Sequence, residues 1–169
     1  IIKPLDPRFF SVDTMTTASE EEKRRPFLYR YFRRIPEAGT FLFLDGGWMA
    51  DVTRGRLDGS LSDADYKNHI RSVRRFERTL TDNGYLVLKF FFVIDKKEQR
   101  HRLDHLAKDP HTAWRVNAFD RFENKHYKTC HAVYDQFLED TASAFAPWYV
   151  IDASSRKWAA LQIFEALTG

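Results

Sequence analysis

Asp45 stands directly after the apolar run Phe41-Leu42-Phe43-Leu44. In open parallel sheets, ligands gather beyond the carboxyl ends of the strands. A carboxylate at such an end is the Walker B arrangement, which holds the hydration shell of a Mg²⁺ ion beside nucleotide phosphates. An Asp after a strand is equally a common turn former, so position alone leaves both roles open. Lys67, Arg71, Arg74, Arg75 and Arg78 recur along one stretch. They offer either a groove for a polyanion or a solvated helix face. Arg100 and Arg102 carry forked donors able to clamp phosphate oxygens, or to pair with Asp104 or Asp95.

Other reactive side chains do not converge. His101, His105, His111, His126 and His131 are scattered without the Cys and carboxylate spacing of a metal site, and read as surface or interface residues. Cys130 falls on an apolar helix face and reads as inert core. No G-x-x-x-x-G-K-[ST] loop occurs in the 169 residues, and Gly46-Gly47 has no adjacent Lys. A phosphate-transferring chain without that loop has no cradle for the β- and γ-phosphates.

The elements that must hold these residues follow from periodicity. Pro4-Leu5-Asp6-Pro7 reads as an extended entry and Phe9 to Val12 as a short strand. Ser19 with Glu22 has capping-box spacing, and Phe27, Leu28, Tyr31, Phe32 and Ile35 continue a helical apolar face up to Pro36. Phe41 to Leu44 predicts a strand buried on both faces. Leu61 to Asn83 predicts a helix with Ile70, Val73, Phe76 and Leu80 inward. Tyr85 to Ile94 is a second apolar strand, and Asp95 with Glu98 starts a helix reaching about Leu106. Asn124 to Thr141 reads as one helix and Trp148 to Ile151 as a third strand. Ser154 or Ser155 then caps a last helix, with Trp158, Leu161, Phe164 and Leu167 inward. Strands alternating with helices predict an α/β domain with a mainly parallel sheet.

Composition narrows the class. The length suits one domain, and 43% hydrophobic with 15% aromatic residues argues against disorder. A net charge of +3 is too small to argue for nucleic acid as a partner. One cysteine excludes an internal disulfide and fits a reducing cytosol. No apolar run approaches the roughly 18 residues that span a bilayer, so no membrane role is expected. The opening Ile1-Ile2-Lys3, without Met, reads as a piece of a longer protein.

The order of motifs resembles the polyphosphate kinase 2 family over nearly the whole chain. Asp6-Pro7-Arg8, Glu21 and Phe27-Leu28-Tyr29-Arg30-Tyr31 resemble its "PRG…E…YLWRY" stretch, and Ile35-Pro36-Glu37-Ala38-Gly39 its "LP..G" turn. Phe43-Leu44-Asp45-Gly46-Gly47-Trp48-Met49 falls where the family has "FDRSWY", and Arg54-Gly55-Arg56-Leu57 where it has "ERV". Phe76-Glu77 with Leu80 and Gly84, Lys89-Phe90, and Glu98-Gln99 with Arg102 are similar to "FE..L...G", "KF" and "EQ..R". Asp109-Pro110, Trp114, Tyr127, Thr141, Ala146-Pro147-Trp148 and the basic Arg156-Lys157 continue in the family's order.

The resemblance implies a P-loop kinase-like fold of the thymidylate-kinase type. It has a mainly parallel sheet, flanking helices and a helical lid at roughly 49–83, here without the P-loop strand. It implies Mg²⁺-dependent phosphoryl transfer between polyphosphate and nucleotides (AMP, ADP, ATP) in the cytoplasm. It assigns Asp45 and Arg56 to catalysis, Asp45 also to the metal, and Arg8, Arg30, Arg100 and Arg102 to phosphate. The departures point elsewhere. Gly46 and Gly47 replace the Arg and Ser of "FDRSWY", Met49 replaces Tyr, and Gly55 replaces the Glu before Arg56. Losing that Arg removes a charge that would stabilise the transferring phosphoryl group. The chain is thus similar to the degenerate half of two-domain members, supporting a second kinase domain or a homo-oligomer. Two alternatives remain: an active enzyme whose loop lies outside these residues, and an interaction module without a phosphate site.

Overall fold

The computed structural model describes residues 5–168 and divides into two compact units. The expected entry at Pro4 lies partly outside the described residues. The first unit runs up to Leu86 and takes in Glu139–Thr141, and the second comprises the remainder.

In the first unit, β1 (Phe10–Thr14) pairs in parallel with a strand that begins at Phe41, β2 (Phe41–Asp45), so that Phe10 lies opposite Phe41 and Thr14 opposite Asp45. Between them run two one-turn helices, α1 (Glu20–Lys23) and α2 (Tyr29–Phe32). The capping box at Ser19 forms as expected: Glu22 N–H donates to Ser19 Oγ at 3.2 Å, and Ser19 N–H donates to Glu22 Oε2 at 3.0 Å. The single helical face expected through Ile35 is shortened to α2, because the segment after Lys23 turns before Pro26 and Leu28 enters the next turn without a side-chain cap. A helix not anticipated, α3 (Gly47–Leu57), follows β2 almost at once. Next comes α4 (Asp63–Asp82), capped by Ser62 Oγ, which accepts from Asp65 N–H.

Ile70, Val73 and Phe76 bury one face of α4, as the spacing required, with Glu77 buried beside them and Leu80 only half-buried, and Arg71, Arg74, Arg75 and Arg78 lie exposed. The core gathers Leu28, Tyr31, Val73 and Phe76 under Met15, Leu44 and Trp48. Trp48 stands edge-on to both Tyr31 and Phe76, with centroids 5.5 Å apart in each case. Its indole N–H donates to Glu77 Oε1 at 3.1 Å, which gives the fully buried carboxylate a partner.

In the second unit, β3 (Lys89–Val93) pairs in parallel with β4 (Trp148–Asp152). The helices are α5 (Lys96–Lys108), α6 (Ala118–Lys125), α7 (Tyr127–Asp140) and α8 (Arg156–Thr168). Asp95 caps α5 by accepting from Glu98 N–H at 2.8 Å. The single helix expected from Asn124 is two. α6 starts at a capping box between Asn117 and Asp120, and the backbone leaves helical geometry at His126. β3 is also shorter than expected, since residues 85–88 lie outside any strand.

The last helix requires a correction. Ala159 and Ile163 are the residues buried, packed with Ile151, while Trp158, Leu161, Phe164 and Leu167 stay 43–50% exposed. The helix is apolar on every side, so spacing alone could not choose its inner face. Ala159 and Ile163, four residues apart on one face, are the pair that packs against Ile151 of β4.

Candidate phosphate-handling site

Asp45 is exposed at the carboxyl end of β2, where the strand pattern placed it, and its carbonyl accepts from Met15 N–H at 3.0 Å. The chain then turns through Gly46 at φ +89° and Gly47 at φ +46° into α3, which has no side-chain cap. Only glycine takes the Gly46 conformation without strain. A Cβ there would meet nothing closer than 3.7 Å, so conformation and not space reserves the position. The turn thus presents a carboxylate with no charged side chain in the two residues after it.

Arg56 closes the end of α3. Its guanidinium donates to Asp63 Oδ1 at 2.6 Å and to the Leu61 carbonyl at 3.3 Å, and sits 5.1 Å from the centre of the Tyr66 ring. Arg30 lies in the core with its side chain 5% exposed, donating to the Thr16 carbonyl at 2.6 Å. It faces Asp51 at 3.6 Å and Glu22 at 3.9 Å. Tyr31 Oη donates to the same Asp51 at 2.6 Å, and burial, then the Asp51 charge, hold the phenol well above its usual range. Arg8 is exposed and forks onto Asp6, whose carboxyl that pairing keeps below the ordinary carboxylate range.

In the second unit, Arg102 donates to Glu98 Oε1 at 2.6 Å and to the carbonyls of Ala153 and Ser154 at 3.0 and 2.8 Å. It ties α5 to the loop after β4. Arg100 is different: exposed, with Asp104 3.8 Å away. It lines a recess of about 360 Å³ with Lys96, Asp104, Arg121, Asn124 and Lys125. Of the residues expected to meet phosphate, then, Asp45, Arg56, Arg8 and Arg30 belong to the first unit, and Arg100 and Arg102 to the second.

Sequence reading passed over Lys96, Arg121 and Lys125. The signal was present as the i, i+4 pairs Lys96–Arg100 and Arg121–Lys125, but the fused Asn124–Thr141 helix hid the second. It also passed over His69, half-buried and stacked on Phe27 at 4.1 Å, with no hydrogen-bond partner for Nδ1 among the described residues. Burial pushes that imidazole's pKa down. Cys130 is buried, and burial pushes its thiol up, which agrees with an inert core thiol. Among the described residues no three His, Cys, Asp or Glu side chains come together as a cation cage, and no helix is long and apolar enough to cross a membrane.

The parallel strand pairs flanked by helices form an α/β fold, of the P-loop kinase-like class that solved polyphosphate kinase 2 structures share with this chain. The chain belongs to the polyphosphate kinase 2 family, whose sequence profile matches residues 1–169. It is 32% identical over 159 residues to a polyphosphate:AMP phosphotransferase of Pseudomonas aeruginosa, covering 94% of this chain and 32% of that protein. It is 29% identical over 169 residues to the AMP/ADP-polyphosphate phosphotransferase of Meiothermus ruber, covering 98% of this chain and 63% of that one. Polyphosphate kinase 2 from Arthrobacter aurescens TC1 superposes with a TM-score of 0.90 at 27% identity, over 96% of this chain and 57% of that structure. The chain therefore spans about a third to less than two thirds of these proteins.

Proposed function

We propose that this chain is a polyphosphate kinase 2 domain that no longer transfers phosphate by itself and supports a catalytic partner domain in the cytoplasm. The observation that carries this reading is the Gly46-Gly47 turn. Where the family motif has Arg and Ser, the backbone here adopts a positive φ that disfavours any side chain. The change is built into the local path of the chain, beyond a swap of side chains. Arg56, the remaining catalytic candidate, pairs with the exposed carboxylate of Asp63. Asp45 suits a Mg²⁺ ion only as one ligand, since that ion takes one or two carboxylates together with waters and substrate phosphate oxygens.

On this reading Asp45 and Arg56 mark the remnant of the transfer centre, Arg8 and Arg100 offer exposed charge to polyphosphate or nucleotide, and Arg30 and Arg102 hold the frame. The partner is a second kinase domain or a second copy. The test is the double variant Gly46→Arg/Gly47→Ser. It is expected to melt below the wild type and to form no nucleotide product from polyphosphate, ADP and Mg²⁺. A variant that melts like the wild type and makes ATP would overturn the proposal, because the turn would then be a tolerant site short of two side chains.

A further inference from the structure

We infer that the surface around Tyr29 docks a partner protein through a segment carrying adjacent carboxylates beside an apolar side chain. Residues 23–34 hold the cations Lys23, Arg24, Arg25, Arg30, Arg33 and Arg34. Half of them are taken. Lys23 pairs with Glu20 at 2.7 Å, Arg30 faces Asp51 and Glu22, and Arg34 pairs with Asp13 at 2.8 Å. Arg24, Arg25 and Arg33 are exposed and meet no carboxylate among the described residues. Within 19–34 the one exposed carboxylate outside an ion pair among the described residues is Glu21, so the segment offers net positive charge.

Two of these arginines are held by an aromatic ring instead. Arg25 and Arg33 stand over Tyr29, their guanidinium carbons 5.4 and 5.8 Å from the ring centroid. Tyr29, Phe32 and Arg33 fall three and four residues apart, on one face of α2. Phe32 is 50% exposed and is steadied from the core by Phe76, with ring centroids 4.5 Å apart. Arg, Tyr and Phe are the residue types that interface hot spots favour. Guanidinium groups already resting on a ring lose little freedom when they fork onto a carboxylate. A bare polyanion would leave the Phe32 ring in water, and a nucleic-acid base would find the Tyr29 ring already covered by guanidinium groups. A peptide with carboxylates on either side of an apolar residue satisfies both the charge and the ring. Docking here rests on the supporting role proposed above and gives that role's partner its chemistry.

Fluorescence anisotropy of a short, end-blocked, dye-labelled peptide, glutamates and aspartates around a central phenylalanine, titrated with the whole chain, tests this. The peptide should bind saturably, and less tightly as salt is raised. Arg25→Gln/Arg33→Gln should weaken binding by roughly tenfold or more while the melt stays near the wild type, since both side chains are exposed. Exchanging the peptide's phenylalanine for serine should weaken it as well, a result that charge alone would not give. Tripolyphosphate should displace the peptide poorly. No saturable binding, binding untouched by the double substitution, equal binding of the serine peptide, or full displacement by tripolyphosphate would overturn the inference. If the double variant fails to fold, the serine peptide and tripolyphosphate on the wild type decide. None of these readings involves product formation. A chain that makes ATP from polyphosphate therefore refutes the inactive-domain reading alone, and docking is judged on the peptide.

Discussion

Replacing Arg30 by Met separates a structural arginine from a phosphate ligand. The substitution keeps the apolar stem and deletes the guanidinium, which leaves the Thr16 carbonyl without its 2.6 Å donor and the Asp51 and Glu22 carboxylates without the cation between them. Breaking a buried pair from one side costs about 3–5 kcal/mol. Asp51 and Glu22 keep 32% and 19% of their side-chain surface in water, which places the loss near the lower end, about 3 kcal/mol. At roughly 2–4 °C per kcal/mol for a chain of this length, the thermal midpoint should fall by about 6–12 °C. Asp51→Asn combined with Arg30→Met should cost less than it does alone, because the two groups share one network. Circular dichroism melts of the four proteins, with tripolyphosphate titrations of each, read both effects. A melt within about 1 °C of the wild type together with abolished phosphate binding would refute the structural assignment.

Other residues give sharper single readings. Phe76→Ala removes the ring on which Phe32 and Trp48 pack and should cost about 3–5 kcal/mol, measured by urea unfolding. Gly46→Ala should cost about 1–3 kcal/mol in the same assay, through its positive φ alone, since the added methyl has room. His69 has a folded pKa below its unfolded value near 6.5, so the unfolded chain binds the extra proton. Its stabilising effect is therefore complete above that value and declines as pH falls through it towards the folded pKa. A His69→Gln variant should flatten the stability profile in that window. Cys130 should react with a thiol reagent only in denaturant, since it is buried and its thiolate is disfavoured.

What the sequence revealed depended on whether a single force dominated. β2 and its terminal Asp45 were readable because four apolar residues run without interruption up to a polar stop, although no residue of the strand is buried and Phe41 is exposed, where burial on both faces was expected. The caps at Ser19 and Asp95 have local side-chain logic and form as such, whereas the helix expected from Leu61 begins at Asp63 behind a Ser62 cap that was not anticipated. α3 was invisible: it opens on a glycine behind a glycine cap, and its inward residues, Val52 and Thr53, are adjacent and not spaced by a turn. α8 offered apolar residues on all sides, so tertiary packing chose the face. The fates of the arginines were equally illegible. Arg30, Arg100 and Arg102 have the same chemistry, and long-range partners such as Asp51 and the Ala153 carbonyl decide which is anchored.

The most direct measurement is nucleotide product formation by the purified chain with polyphosphate, AMP or ADP, and Mg²⁺, with the Meiothermus ruber relative run alongside. The account predicts no product above the protein-free control. Mg²⁺-dependent product that disappears in Asp45→Asn would contradict it, and would show that the Gly46-Gly47 turn still supports transfer.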